Sequence, residues 1–152
     1  MIVVVEGVDC AGKTTYCRSL VAMGFEYRHL GRPGPDEDLF DWYGSAILSA
    51  GPDRATVFDR AWWSEQVYGP VKRGGSRLLP SDAKLLEMRF ALRGGAFVYI
   101  DPGLDVVKRR MALRGDTYVC LDELDSLHAR YTALAAGDHP APVLRLGSLW
   151  GG

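Results

Sequence analysis

A glycine-rich segment near the start of the chain carries the residue types that bind phosphate groups. Residues 7–14 (GVDCAGKT) fit the pattern G-x-x-x-x-G-K-[ST]. The glycines let backbone N–H groups turn inward around a phosphate, and a following helix adds the partial positive charge of its N-terminus. Lys13 is expected to reach β- and γ-phosphate oxygens, and the Thr14 hydroxyl to ligate Mg²⁺. The candidate nucleotide-binding residues are Gly7, Asp9, Cys10, Ala11, Gly12, Lys13, Thr14 and Thr15.

This pattern requires a strand before it and a helix after it, and the sequence predicts both. Residues 2–5 (IVVV) are β-branched without polar alternation, which is typical of a strand buried on both faces of a parallel sheet. Residues 13–23 have apolar or small residues near helical spacing, and Gly24 is placed to end that helix. These flanks favour a phosphate loop over a chance glycine-rich turn. Thr15 suits the first turn of the helix better than a ligand position.

The rest of the chain alternates between predicted strands and helices. Ser81 is the expected cap of one helix, whereas Gly69-Pro70 and Gly74-Gly75 predict an irregular segment. Strands separated by helices predict an α/β fold in three layers, with a five-stranded parallel sheet in the middle. The further strands are predicted at residues 25–30, 55–58, 97–100 and 143–146, and the further helices at 38–49, 81–93, 104–114 and 121–136.

Composition restricts the class of protein. A chain of 152 residues with a net charge of -1 fits one domain and has no overall field for holding a polyanion, so phosphate binding must come from local clusters. Arginine supplies 14 of the 18 basic residues, and its planar guanidinium suits bidentate phosphate contacts. The three cysteines cannot all pair, and no apolar run is long enough to span a bilayer. We therefore expect a reduced, cytoplasmic protein with no membrane partner.

Three segments resemble the thymidylate kinases, a branch of the P-loop nucleoside monophosphate kinases. Residues 5–15 are similar to the phosphate loop of that family, and residues 59–68 resemble its DR-x-x-x-S-x-Q-x-Y segment, which lines the acceptor site. Residues 109–115 are similar to the arginine-rich helix that enters the family's mobile lid, and residues 130–131 resemble the helix beyond it. The resemblance implies one P-loop kinase domain over the whole chain, with a short lid near residues 110–120.

The resemblance also implies roles for the polar residues on the acceptor side. Asp9 would accept a hydrogen bond from the acceptor's 3′-hydroxyl, since a carboxylate inside a phosphate loop is repelled by phosphate. Arg60 would clamp the acceptor's monophosphate, and Asp59 would act on Mg²⁺ through water. Two alternatives stay open: Asp9 as a brace of the loop, and Arg32 as a solvated loop residue. The expected acceptor-binding residues are Asp9, Arg32, Arg60, Ser64, Gln66 and Tyr68.

Phosphoryl transfer also requires positive charge on the transferred group. Some thymidylate kinases carry an arginine within the phosphate loop, where this chain has Cys10, so the resemblance points to lid arginines instead. On a helix, Arg110 and Arg114 share a face by their i, i+4 spacing, whereas Arg109 points about 100° away. We predict that the first two contact phosphates and that Arg109 covers the adenine, with a solvated basic face as the alternative. The predicted catalytic residues are Lys13, Arg60, Arg110 and Arg114.

Other chemically capable residues have structural interpretations. Packing is favoured over base stacking for Trp62-Trp63, and Cys10 is given no nucleophilic role because the reaction needs none. The three histidines show no ligand spacing and are predicted to be structural or solvated. They are His29, His128 and His139.

We therefore expect ATP- and Mg²⁺-dependent phosphorylation of a deoxynucleoside monophosphate, either dTMP or a modified pyrimidine analogue. The chain lacks the helix that holds the pyrimidine in the thymidylate kinases, and its lid is shorter, so the resemblance supports the reaction better than the base. One alternative is a kinase for a hydroxymethylated pyrimidine in DNA, and another is a nucleotide-binding regulator without transferase activity. A homodimer and a monomer both stay open. The DNA alternative would use a backbone-binding surface made by Arg73, Arg77, Arg89 and Arg93.

Overall fold

The computed structural model describes residues 1–115 and 118–147, which form five strands and six helices. The strands are β1 (Ile2–Glu6), β2 (Glu26–Arg28), β3 (Thr56–Asp59), β4 (Gly95–Ile100) and β5 (Val143–Leu146). The helices are α1 (Lys13–Ala22), α2 (Leu39–Ser49), α3 (Trp62–Arg73), α4 (Pro80–Leu92), α5 (Leu104–Arg114) and α6 (Leu121–Ala135).

The strands form one parallel sheet in the order β2-β3-β1-β4-β5, which confirms the predicted fold class. All five residues of β1 are buried, as its unbroken apolar run predicts. After β1, the chain crosses to β2 on one side of β1 in the sheet. After β3, it crosses to β4 on the other side of β1. Right-handed crossovers in these two directions place helices on both faces of the sheet. The carboxyl end of β1 therefore lies where the direction of winding changes, the usual ligand site of open α/β sheets.

The segment after β3 is more regular than the sequence predicts. Helix α3 continues through Gly69 and Pro70, where the sequence predicts irregular backbone. Pro70 lies inside this helix, where proline removes one backbone hydrogen bond and its ring crowds the preceding turn, at a cost of about 3 kcal/mol. A Cβ atom on Gly69 would lie 2.9 Å from the oxygen of Gly75 and from the Cα of Ser76, so the bare glycine lets the returning chain pack closely on the helix. Tertiary packing outweighs the local helix-breaking signal here.

The start of α4 is a second correction. Pro80 takes the first helical position and Leu79 is the N-cap, without a side-chain cap hydrogen bond, so the predicted Ser81 cap is wrong. Proline is favoured at this position because the first N–H groups of a helix have no partner within it and the fixed φ is already helical.

The core confirms the packing interpretation of the two tryptophans. Trp62 and Trp63 are buried, the former edge-on to Phe90 and the latter stacked on Phe97 with ring centroids 4.2 Å apart. The three cysteines are free. Among the described residues, no helix is both long and apolar enough to cross a membrane.

Candidate active site

The loop between β1 and α1 is shaped by close backbone approach. Gly7 has φ +151°, and a Cβ atom there would lie 2.7 Å from the carbonyl oxygen of Ile100 at the end of β4. Gly12 has φ +103° and is the N-cap of α1. Cys10 also adopts a left-handed φ of +64°, which is uncommon for a residue with a side chain. The segment is thus folded against the sheet and opens into the helix N-terminus, as a phosphate loop requires.

Lys13 is the buried cation of this loop. Its Nζ donates a hydrogen bond to the carbonyl oxygen of Val8 at 2.7 Å, and the residue is 7% exposed. Burial, together with the nearby positive charge of Arg60, lowers the pKa of Lys13 to about 7. A phosphate group beside Nζ would restore the ammonium form, because it supplies the negative charge that the unliganded loop lacks.

The two predicted metal-associated residues lie together. The Thr14 hydroxyl donates to Oδ2 of Asp59 at 3.1 Å, and the Tyr27 hydroxyl donates to the same oxygen at 3.0 Å. A hydroxyl and a carboxylate are hard oxygen ligands, and Mg²⁺ characteristically uses few protein ligands beside waters and phosphates. The pair therefore fits Mg²⁺. Elsewhere in residues 1–115 and 118–147 there is no cluster of three or more His, Cys, Asp or Glu side chains that could hold a metal.

The predicted nucleotide site is a cavity of about 560 Å³, here called the donor cavity. Two arginines of α5 face the phosphate loop across it. Arg110 donates from Nη1 to the carbonyl oxygens of Cys10 and Ala11 at 3.2 and 3.3 Å, and Arg114 Nη1 lies 3.6 Å from Cys10 Sγ. The predicted shared face of these two arginines is therefore the face toward the loop. The donor cavity is lined by Asp9, Cys10, Gly12, Lys13, Thr14, Thr15, His29, Asp59, Arg60, Arg110, Leu113 and Arg114.

Arg60 is the centre of a hydrogen-bond network at the carboxyl end of β3. Its Nη2 donates to Asp9 Oδ1 at 2.5 Å and to the Tyr68 hydroxyl at 3.2 Å, and its Nη1 donates to Ser64 Oγ and the Tyr131 hydroxyl, both at 3.2 Å. Burial by itself lowers the pKa of Arg60, but Tyr131, Tyr68 and Asp9 around it raise that pKa well above the ordinary value. Arg60 is thus a fixed, permanently charged group.

A buried carboxyl group lies beneath this network. Glu6 ends β1 and is fully buried. Its Oε1 accepts from the backbone N–H of Ala61 at 2.7 Å, and its Oε2 accepts from Ser64 Oγ at 2.7 Å and from the Tyr131 hydroxyl at 3.0 Å. Burial raises the pKa of Glu6, while Arg60 and these donors lower it. Because Ser64 and Tyr131 also contact Arg60, Glu6 fixes the two groups that hold the guanidinium.

A second cavity of about 480 Å³, here called the acceptor cavity, lies on the other side of Arg60. It is rich in arginine, as expected for an anionic ligand, and it also contains aromatic side chains and carboxylates. The arginines are Arg32, Arg60, Arg73 and Arg77, the tyrosines Tyr43, Tyr68 and Tyr118, and the acids Asp9, Asp59 and Glu65. Asp9, His29, Asp59 and Arg60 line both cavities.

The outer arginines of the acceptor cavity are held from several elements. Arg73 Nη2 and the backbone N–H of Arg77 both donate to Oε1 of Glu65, at 2.5 and 2.7 Å. The Arg77 guanidinium donates to the carbonyl oxygens of Gly34, Pro35 and Glu37, which fastens the loop after β2. The Arg32 guanidinium lies 3.6 Å from the ring centroid of Tyr118. The loop after β2, α3 and the segment after α5 therefore meet around this cavity.

The structure brings most predicted site residues together, whereas Gly7, Ala11, Gln66 and Arg109 line neither cavity. Arg32, Ser64 and Tyr68 line the acceptor cavity. Gln66 lines neither cavity because it lies about 200° around α3 from Ser64. Arg109 is exposed outside the donor cavity, about 100° from Arg110. Of the predicted lid, residues 116–117 lie outside the described residues.

The four arginines proposed for a DNA surface do not share one surface role. Arg73 and Arg77 line the acceptor cavity. On α4, Arg89 lies over the Phe40 ring, and Arg93 donates to the carbonyl oxygen of Ala50 at 3.0 Å. These contacts connect α4 and the residue after it, Arg93, to α2 and the residue after that helix, Ala50.

Similar solved structures identify the fold. The YorR protein from Bacillus subtilis, solved with phosphorylated GDP, matches with a TM-score of 0.81 at 21% identity, over 99% of this chain and 88% of that chain. A deoxyadenosine kinase from M. mycoides with dCMP and dCDP matches with a TM-score of 0.59 at 15% identity, over 95% and 90%. The polyphosphate kinase 2 of Arthrobacter aurescens TC1 gives 0.68 at 18% identity, over 95% of this chain but 60% of that one.

The chain has a P-loop kinase fold. No protein-family model matches the sequence, and no curated protein matches it. The family-level expectations of the sequence, including its likeness to the thymidylate kinases, therefore stay predictions.

Sequence reasoning missed several residues of the site. Glu6 could have been noticed as a carboxylate that ends an otherwise apolar buried strand. The sequence predicts only a structural or solvated role for the histidines, yet His29 lines both cavities. Glu65 and Tyr118 carry no motif signal: Glu65 is one acidic residue of a helix that the sequence does not predict, and Tyr118 meets Arg32 from a distant segment.

Proposed function

We propose that this chain transfers the γ-phosphate of ATP to a deoxynucleoside monophosphate, with Mg²⁺. The observation that carries the proposal is the meeting of the donor and acceptor cavities at Asp9, His29, Asp59 and Arg60. A donor and an acceptor bound in two cavities that share a wall can react without either leaving its site, which supplies the proximity that phosphoryl transfer requires.

The donor triphosphate is assigned to the phosphate loop. Lys13 would regain its charge on binding and lie against the β- and γ-phosphate oxygens, with Arg110 and Arg114 approaching from α5. Thr14 and, through water, Asp59 would hold Mg²⁺, which would supply charge neutralisation on the phosphates. To bind phosphate, Arg110 exchanges the carbonyl oxygens of Cys10 and Ala11 for phosphate oxygens, which are stronger acceptors because they are charged.

The acceptor is assigned to the arginine-rich cavity. Four arginines line it, so an acceptor with its own phosphate is favoured over an uncharged nucleoside. Arg60 would hold that phosphate at the junction, and Asp9 would accept a hydrogen bond from the sugar hydroxyl. An ionised phosphate oxygen of the acceptor then attacks the γ-phosphorus in line, and ADP departs, so no general base is needed. The preferred base remains that of dTMP or a modified pyrimidine analogue.

A coupled ADP-release assay with MgATP tests the proposal. The acceptor panel contains the four common dNMPs, hydroxymethylated pyrimidine dNMPs and a duplex oligonucleotide with the same modified base. We expect turnover with at least one free dNMP, and none in a Lys13→Met variant that keeps the wild-type melting temperature. ATP binding without turnover on any acceptor contradicts the proposal and favours a regulator. Phosphorylation of the oligonucleotide alone, weakening steeply with salt, favours a DNA kinase.

A further inference from the structure

One side chain at the junction of the two cavities has no role in the mechanism above. Of the four shared residues, Asp9 and Arg60 form an ion pair with each other, and Asp59 accepts from Thr14 and Tyr27. His29 is exposed, and within residues 1–115 and 118–147 it makes no hydrogen bond or ion pair. A polar ring at this junction without a protein partner is available to a ligand.

The register of the sheet explains why His29 lies there. β2 pairs with β3 so that its last residue, Arg28, is opposite Phe58, and His29 and Asp59 are the residues that follow the two members of this pair in the sequence. His29 is two residues beyond Tyr27, the spacing at which side chains of an extended chain share a face, and both lie near Asp59. The Tyr27 hydroxyl already reaches Asp59 Oδ2 at 3.0 Å. His29 thus comes immediately after β2, the strand whose Tyr27 donates its hydroxyl to the carboxylate of Asp59.

We propose that His29 is a catalytic residue that donates an imidazole N–H to the phosphoryl group during its transfer; this rests on the proposed function. The bond from the γ-phosphorus to the bridging oxygen of ADP breaks, and ADP leaves with the electron pair. A new bond forms from an acceptor phosphate oxygen to the same phosphorus. His29 keeps its proton throughout, and since both the neutral and the charged imidazole carry an N–H, the role needs no change of protonation.

His29 approaches the junction from a different direction than the two cationic side chains there, Lys13 and Arg60. Lys13 belongs to the phosphate loop and Arg60 to the end of β3, whereas His29 comes from the end of β2. Charge on a transferring phosphoryl group spreads over three equatorial oxygens, so donors from separate directions stabilise it better than two donors on one side. Because His29 lines both cavities, it lies at the junction where the phosphoryl group would pass from donor to acceptor.

Two variants of similar side-chain size separate donation from packing. His29→Leu keeps the bulk and removes the N–H, whereas His29→Gln keeps an N–H donor. We expect His29→Leu to lower kcat by roughly 100-fold, the lower range for loss of one transition-state donor, and His29→Gln to stay within about tenfold of wild type. ATP affinity, the acceptor KM and the melting temperature should change little in both. A purely structural role would instead lower the melting temperature and move KM.

A second measurement keeps the test independent of acceptor identity. MgADP with aluminium fluoride mimics the transferring phosphoryl group, and its affinity can be compared with that of MgADP alone. We expect His29→Leu to weaken only the aluminium fluoride complex. If wild type phosphorylates a dNMP while His29→Leu matches it in kcat and in this affinity, the inference is overturned and the proposed function stands. If no acceptor is phosphorylated but the aluminium fluoride complex depends on His29, the proposed function fails and the contact stands. If wild type phosphorylates no acceptor and the aluminium fluoride complex does not depend on His29, both the inference and the proposed function are overturned.

Discussion

The donor and acceptor cavities are similar in size but are built in different ways. Half of the residues that line the donor cavity belong to one continuous loop and the start of α1, and the others come from the ends of β2 and β3 and from α5. The acceptor cavity collects side chains from the loop after β2, α2, the end of β3, α3, the segment after α3 and the segment after α5. A site made by one short segment keeps its chemistry when the rest of the chain changes. A site assembled from distant segments changes with every loop that enters it.

The difference extends to the groups that contact the ligand. In the phosphate loop, backbone N–H groups and a single lysine would provide the recognition under the proposed function, and such groups suit the phosphate chain of any nucleotide. In the acceptor cavity, charged and aromatic side chains dominate, and several of them, such as Arg73 and Arg77, are held by another side chain or by loop carbonyls. We therefore expect the two cavities to respond separately to substitution, with Arg60 and Asp9 as the points of coupling.

The largest effect is expected on the donor side. Lys13→Met removes the buried amino group that would face the phosphates under the proposed function, and we expect kcat to fall by roughly 10³-fold, the upper range for loss of one preorganised donor. The melting temperature should hold or rise, because a buried cation with one carbonyl partner is replaced by an apolar side chain. Steady-state kinetics and thermal unfolding measure the two effects. Activity within tenfold of wild type would remove Lys13 from the mechanism.

Arg60 tests the coupling between the cavities. Arg60→Lys keeps a charge but cannot make the four hydrogen bonds to Asp9, Tyr68, Ser64 and Tyr131 together. We expect kcat/KM for the acceptor to fall by roughly 100-fold and the protein to lose stability, since the partners include buried hydroxyls. ATP affinity should change far less. An equal loss of ATP affinity would show that the two cavities do not bind their ligands separately.

The pKa of Lys13 predicts a proton linkage on the donor side only. Its value is about 7 in the unliganded fold, against 10.5 for an exposed lysine, so the folded loop holds fewer protons than the unfolded chain between these values. Burial of the charged form thus costs stability below pH 7, and this cost disappears as the pH rises toward 10.5. Phosphate binding favours the charged form, so nucleotide binding above pH 7 takes up a proton.

Calorimetry measures this linkage. We expect the affinity for ADP to fall by up to about tenfold per pH unit above pH 7, and the binding enthalpy at pH 8 to depend on the ionisation enthalpy of the buffer. The Lys13→Met variant is the control and should lose both effects. Proton uptake that persists in this variant would assign the linkage to another group.

Arg77 tests whether the acceptor cavity can be altered without changing the donor cavity. Its guanidinium holds three carbonyl oxygens of the loop after β2, so Arg77→Met should release that loop while leaving α3 in place. We expect the acceptor KM to rise by about 5- to 10-fold, since the loop must then be ordered on binding. The ATP affinity should be unchanged. A larger effect on ATP than on the acceptor would contradict the separate assembly of the two cavities.

The smallest effects are expected outside both cavities. Arg109→Ala and Gln66→Ala should each change kcat/KM by less than about threefold, as is usual for exposed or non-contacting positions. Arg110→Ala and Ser64→Ala are their matched neighbours within the cavities and should have larger effects. A strong effect of Arg109 on ATP affinity would restore its predicted contact with the adenine.

Much of the fold was predictable from the sequence for physical reasons. Val3 to Val5 could only be buried in a strand, and the predicted bounds of α5 and β5 agree with the structure. The exceptions are places where packing opposes local preference. Gly69 and Pro70 predict a break, yet the helix continues because the bare Gly69 lets residues 75–76 pack against it. The sequence leaves base stacking open for Trp62 and Trp63, but both side chains are buried in the hydrophobic core.

The sequence by itself determined the phosphate loop, because Gly7, Gly12, Lys13 and Thr14 act through local backbone geometry that eight consecutive residues fix. It also placed Asp59 and Arg60 at the carboxyl end of a strand beside that loop. Only the tertiary structure decided that Glu6 lies beneath Arg60, that Arg77 holds the loop after β2, and that His29 lines both cavities. These are contacts between segments far apart in the chain, and packing brings them together without a spacing that the sequence could display.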